Sequence, residues 1–155
     1  MSPELKASLD VLEELHKEIF KVVEPLTDEH INWVHPHLSN TVGILLRHIA
    51  GSERYWIGEV VGGQPVHRER ATEFAHEPLK KEPLVEGLRG AHASVRQVLQ
   101  GLTPIELQSE VELPGRDQPW RVTKGWALLH SLTHTAYHLG QLRLFGKIAP
   151  TGKGP

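Results

Sequence analysis

Cysteine is absent from this 155-residue chain. That excludes disulfides, and it also limits metal chemistry: with no thiolate available, any bound metal must be held by histidine and carboxylate. Any thiol chemistry would need a sulfur supplied from outside. The absence fits a reducing compartment. No excess of one charge is present either, since 17 basic residues stand against 19 acidic ones for a net charge of −2. Without a sustained basic run, nucleic acid is not an expected partner. No apolar stretch approaches the ~18 residues that span a bilayer, and the opening MSPELKASLD lacks the apolar core of a signal peptide. The expectation is a cytoplasmic protein with no membrane partner. The length fits one domain, expected over residues 1–148 with a frayed tail at 149–155, and such a domain folds without covalent staples.

Histidine, by contrast, is plentiful, with 11 in the chain. His130, His134 and His138 stand four residues apart in Trp126–Gly146, which reads as one helix. Each step of four rotates a side chain by only about 40° around a helix, so the three share a face. Random placement of 11 histidines in 155 positions gives about 0.8 pairs at this spacing but only about 0.05 such triplets. The run therefore carries information that a lone pair would not. Leu128, Leu132 and Leu139 form a second stripe on this helix, and Arg143 is the only formal charge between Trp126 and Phe145. A helix apolar nearly all round is expected to be buried. Imidazoles buried there need hydrogen-bond partners or a cation. Thr135 follows His134, so the general-base glutamate of the HExxH zinc proteases has no counterpart.

Ser2-Pro3-Glu4 starts a first helix carrying Leu5, Leu9, Leu12, Ile19 and Val23, and Pro25 stops it. Thr27-Asp28-Glu29 opens a short turn, and His35-Pro36-His37 reads as extended loop. A second helix is expected from about Thr41 to Val61, capped by Ser39 or Asn40 and ended by Gly62-Gly63. Its apolar arc holds Ile44, Leu45, Ile49, Trp56 and Val60, with His48 among them. On its own, His48 reads as a hydrogen-bonded core residue as readily as a ligand. Gln64–Lys81 reads as a loop with solvated His67 and His76. Pro83 opens a third helix with Leu84, Leu88, Val95, Val98 and Leu102, and Thr103-Pro104-Ile105-Glu106 is a capping box that marks a separate short helix. Val111–Val122 alternates around Pro114-Gly115 as an arm or small hairpin, and Thr123 caps the last helix. Four helices joined in this way predict an all-α four-helix bundle, with metal sites built in the core from facing helices.

The helix with GILLRHIAGSERYW, the helix with HTAYHLGQLRLF, the TPIEL turn and the VELPGRDQPWRVT arm together resemble the DinB/YfiT-like family over nearly the whole chain. The resemblance implies an up-down-down-up bundle, often a homodimer. It also implies one divalent metal held by three histidines, which match His48 on the second helix and His134 and His138 on the last. His130 is then left over, one turn from His134, as a residue behind the ligands, facing substrate or simply buried. Gln141 lies on the face of His134 and His138, where it can orient a ligand or a water. Glu53 lies on the inner arc of the second helix but rotated away from His48, and is a supporting residue at most.

Three imidazoles leave at least one coordination position open, as in catalytic rather than structural sites. The resemblance implies a transferase that activates a low-molecular-weight thiol, bacillithiol- or mycothiol-like, for attack on a small electrophile. A hydrolase using metal-bound hydroxide and a non-catalytic metal-binding or dimerisation module are the alternatives. Imidazole suits zinc, nickel, iron and manganese, with zinc or nickel favoured.

Overall fold

The computed structural model describes residues 1–115 and 118–148; the tail expected to fray lies outside them. The elements run α1 (Pro3–Val23), α2 (Asp28–Asn32), α3 (Val42–Glu53) with a π-helical continuation Arg54–Val61, α4 (Arg70–Glu73), α5 (Lys81–Gly101), a 3-10 turn Glu106–Gln108, β1 (Glu110–Leu113), β2 (Trp120–Thr123) and α6 (Lys124–Ile148). The fold is an all-α bundle with one small antiparallel hairpin, in which Val111 pairs with Val122 and Leu113 with Trp120. No helix among the described residues is long and apolar enough to cross a membrane.

Local chemistry explains where the long helices begin. In α1 the Ser2 hydroxyl accepts from the Leu5 amide at 3.3 Å, with Pro3 in the first turn. In α6 the Thr123 hydroxyl accepts from the Trp126 amide at 3.1 Å. In α3 the cap is Thr41, whose hydroxyl accepts from Ile44 at 3.1 Å, and not Ser39 or Asn40 as expected. Thr41 is buried, so its hydroxyl meets the free amide where water cannot. α5 begins at Lys81, two residues before Pro83; proline is tolerated there because first-turn amides have no intrahelical partner. Residues 35–37 form a turn rather than an extended loop, closed by the Leu38 amide on the His35 carbonyl at 3.2 Å.

Two apolar clusters fix the helix directions. One joins Leu5, Leu9 and Leu12 to Ile57, Val61, Val95, Leu99, Leu128 and Leu132. The other joins Ile19 and Val23 to Leu45, Ile49, Leu88, Leu139, Leu142 and Phe145. The early residues of α1 thus meet the early residues of α6, and the late meet the late, so these two helices are parallel. α3 and α5 run the other way, and the topology is up-down-down-up. The Leu128/Leu132/Leu139 stripe is consumed by this core. The rest of α6 departs from the expectation of burial all round: Leu129, Tyr137 and Leu144 are exposed on its outer side, because the helix packs on α1 and α3 and leaves a third side to solvent.

Between the two clusters lies a buried polar layer. His16 of α1 is 1% exposed and Glu53 of α3 is 0% exposed. The His16 Nε2 lies 2.9 Å from both Glu53 oxygens, and the Thr135 hydroxyl donates to Glu53 Oε1 at 3.0 Å. The ring of His92, from α5, stands edge-on to His16 with centroids 4.2 Å apart. All four long helices contribute to this layer, so it fixes their relative height.

The connection from residue 64 to 80 is not a free loop. It contains α4 and is tied to the bundle by side chains of the helices beneath it. Arg47 donates to the carbonyls of Glu73 at 3.0 Å and Ala75 at 2.6 Å, and pairs with Glu77. The Asn32 amide exchanges two hydrogen bonds with the Leu79 backbone, both at 2.8 Å. This tethering carries α4 over the middle of α3, beside His48.

Candidate metal centre

The mid-section of α3 supplies His48, and one face of α6 supplies His134 and His138. Their Nε2 atoms converge: His48 to His134 is 3.0 Å and His134 to His138 is 3.1 Å. These three histidines can hold a metal ion, with one ligand atom from each lying within 4.8 Å of the other two. Nitrogens that share one four- or six-coordinate ion stand about 2.8–3.4 Å apart when each bond is about 2.0–2.1 Å.

The surrounding hydrogen bonds decide which way the lone pairs point. His48 Nδ1 donates to Glu73 Oε2 at 2.7 Å. His138 Nδ1 donates to the Gln141 side-chain oxygen at 2.6 Å. A neutral imidazole carries one N–H, so both bonds place the proton on Nδ1 and leave the Nε2 lone pair facing inward. The Ser52 hydroxyl lies 3.3 Å from His134 Nδ1 and can fix the third ring in the same way. This is the usual support for ligating histidines: a carboxylate or an amide oxygen on the far nitrogen.

Glu73 is itself held firmly. Arg68 grips it in a bidentate pair at 2.7 and 2.8 Å. Burial pushes the Glu73 carboxyl up, but the Arg68 and His48 hydrogen bonds outweigh that and leave it below its ordinary value. Its carboxylate lies directly on the backbone of Gly51, where a Cβ would come 2.7 Å from the carboxyl carbon. Glycine at position 51 is therefore what lets the carboxylate reach His48. Glu73 and Arg68 are the residues that sequence reasoning missed.

The other candidates fall in distinct places. Gln141 sits on His138, as just described. Glu53 bonds His16 and Thr135 and none of the three converging histidines. The His130 ring lies 6.0 Å from that of His134, stacked on Trp126 at 4.9 Å and edge-on to Trp56 at 4.5 Å. His130, Trp56 and two of the converging histidines, His48 and His134, line an open cavity of about 510 Å³. His134 is only half-buried, so the donor cluster is reachable from this cavity. A larger cavity of about 610 Å³ lies near Trp33 and Leu79, but none of the three converging histidines lines it. Convergence of donors rather than volume marks the site. His67 and His76 are exposed and take no part.

Burial favours the neutral form of His134 and His138. His134 is pushed down to about 3, first by desolvation and then by its neighbours His138 and His48. Desolvation also lowers His138, with the Gln141 bond pulling partly the other way, and it lowers His130 and His92. At neutral pH His134 and His138 are therefore ready to ligate without losing a proton. For stability the sign runs as follows. An unfolded histidine takes up its proton near pH 6.5, while folded His134 resists protonation down to about 3. The unfolded state then binds more protons, so stability is complete above about pH 6.5 and declines as pH falls toward 3. The metal-free protein is expected to show a falling urea midpoint already between pH 6.5 and 5, above the carboxylate range. A midpoint flat over that window contradicts the buried, neutral histidines.

Fold and site together define a helical bundle with a three-histidine centre open to a cavity. The DinB superfamily profile matches residues 11–142, and the chain belongs to that superfamily. A conserved protein from Enterococcus faecalis has a crystal structure with a TM-score of 0.74 over 96% of this chain and 98% of its own, at 15% identity. That likeness concerns the fold. No curated protein matches the chain.

Proposed function

We propose that the protein is a metal-dependent transferase that binds one divalent cation at His48, His134 and His138 and activates a low-molecular-weight thiol, bacillithiol- or mycothiol-like, for attack on a small electrophile. The observation that carries this reading is the set of inward-facing lone pairs, pinned by Glu73 and Gln141 and opening onto a cavity. A cation bound there makes a coordinated thiol acidic enough to lose its proton.

The chain's own residues favour thiol over water as the nucleophile. Hydrolysis by metal-bound hydroxide calls for a general base near the open position. No carboxylate lines the cavity among the described residues, and Glu73 is already committed to Arg68 and His48. A thiol dispenses with that base, because its lower pKa lets a thiol coordinated to the cation release its proton to solvent. Having no cysteine, the chain draws the sulfur from outside.

The test is turnover of an electrophilic chromogenic substrate by metal-loaded protein, with and without added thiol. The reading predicts conversion only with thiol, and loss of conversion when the metal is chelated. Ester or amide cleavage without any thiol contradicts it and favours the hydrolase. Inactivity in both assays, with metal bound, leaves the non-catalytic module.

A further inference from the structure

The cavity over the three histidines has an uneven charge. Two arginines line it, Arg68 and Arg70, and no acid does so among the described residues. Arg68 is neutralised by its bidentate pair with Glu73. Arg70 is not neutralised: it is exposed, and no acidic partner meets it among the described residues. Its guanidinium is not loose, however. It lies 4.9 Å over the ring of Phe74, and that ring in turn packs 4.6 Å from the ring of His48. A cation–π contact of this kind steers the guanidinium without using its hydrogen-bond donors. With a divalent ion at the three histidines, the cavity would hold two sources of positive charge and, among the described residues, none of negative.

We propose that this cavity selects ligands that carry a carboxylate, with Arg70 as the residue that receives it. Guanidinium is the side chain best matched to a carboxylate, through two parallel hydrogen bonds. The aromatic wall of Tyr55, Trp56 and His130 offers the rest of the ligand an apolar surface. The carboxylate belongs either to the thiol or to the electrophile. The proposal rests on the reading that a cation sits at the three histidines, and it adds Arg70 as a specificity residue.

The test uses Co(II)-loaded protein, in which a coordinated thiolate gives a charge-transfer band. Mercaptosuccinate and 1-thioglycerol are titrated separately into wild type, Arg70→Gln and Arg70→Lys, and succinate is titrated by calorimetry into protein already saturated with thioglycerol. Arg70 begins the one-turn helix α4 at the surface, so both variants are expected to fold and to hold cobalt normally. If the carboxylate is on the thiol, wild type binds mercaptosuccinate about tenfold more tightly than thioglycerol, Arg70→Gln loses that preference, and Arg70→Lys keeps part of it. If it is on the electrophile, the two thiols bind alike and succinate binds beside thioglycerol in an Arg70-dependent way. Affinities for mercaptosuccinate and succinate that are unchanged in Arg70→Gln overturn the proposal. Absence of the thiolate band with both thiols refutes the thiol reading instead, and the response of succinate binding to Arg70→Gln then decides the anion site alone.

Discussion

His138→Ala is expected to lose its divalent metal, with affinity falling by more than about 100-fold. The scale follows from the supporting residues, since removing a hydrogen-bond partner behind a ligand already costs about 10- to 100-fold. Loss of a ligand must cost more, because only His48 and His134 Nε2 remain, 3.0 Å apart. Glu73→Gln makes the graded comparison: it keeps all three donors and changes only what His48 Nδ1 and Arg68 meet. It should fall in the intermediate range, while replacement of the exposed His67 should have no effect. Metal content and competitive chelator titration read all three. A His138→Ala protein with wild-type affinity would falsify the three-histidine centre.

Glu53→Ala is expected to destabilise the fold by about 3–5 kcal/mol, the usual cost of stranding one member of a buried polar pair. The carboxylate is 0% exposed and receives bonds from His16 and Thr135. Its removal leaves both without a partner and opens a cavity at the level where all four helices meet. In a domain of this size that corresponds to a drop in Tm of roughly 10 °C. The double variant His16→Leu/Glu53→Met should recover much of the loss, because replacing a buried pair by apolar groups of similar size is often neutral. A single variant within 1 kcal/mol of wild type, by urea unfolding, contradicts the role given to this layer.

Much of this architecture was legible in the residues. Helix caps at Ser2 and Thr123, the stop at Pro25 and the Pro114-Gly115 hairpin are local chemistry, and local chemistry is written in consecutive residues. The shared face of His134 and His138 was legible for the same reason, since four residues make one turn. His48 needed the family resemblance, because nothing along α3 separates a ligand from a core histidine until the facing helix is in place. Glu73 and Arg68 were invisible for a different reason. They sit in a polar connection without periodicity, and the partner that gives Glu73 its role, His48, is 25 residues away in sequence. Glycine at position 51 gives no warning either, as its role appears only when the Glu73 carboxylate lies on it. His16 did leave a signal: it occupies the stripe position between Leu12 and Ile19 that an apolar residue would normally fill. The π-helical turn at Arg54–Val61 left none, although Tyr55 and Trp56 on it form part of the cavity wall.

X-ray absorption at the metal edge, on protein purified without added metal, tests the central claim most directly. The account predicts one divalent ion per chain with three imidazole nitrogens in its coordination sphere and at least one further position occupied by an exchangeable light atom. A spectrum with no imidazole donors, or protein that takes up no divalent ion even when it is supplied, contradicts it.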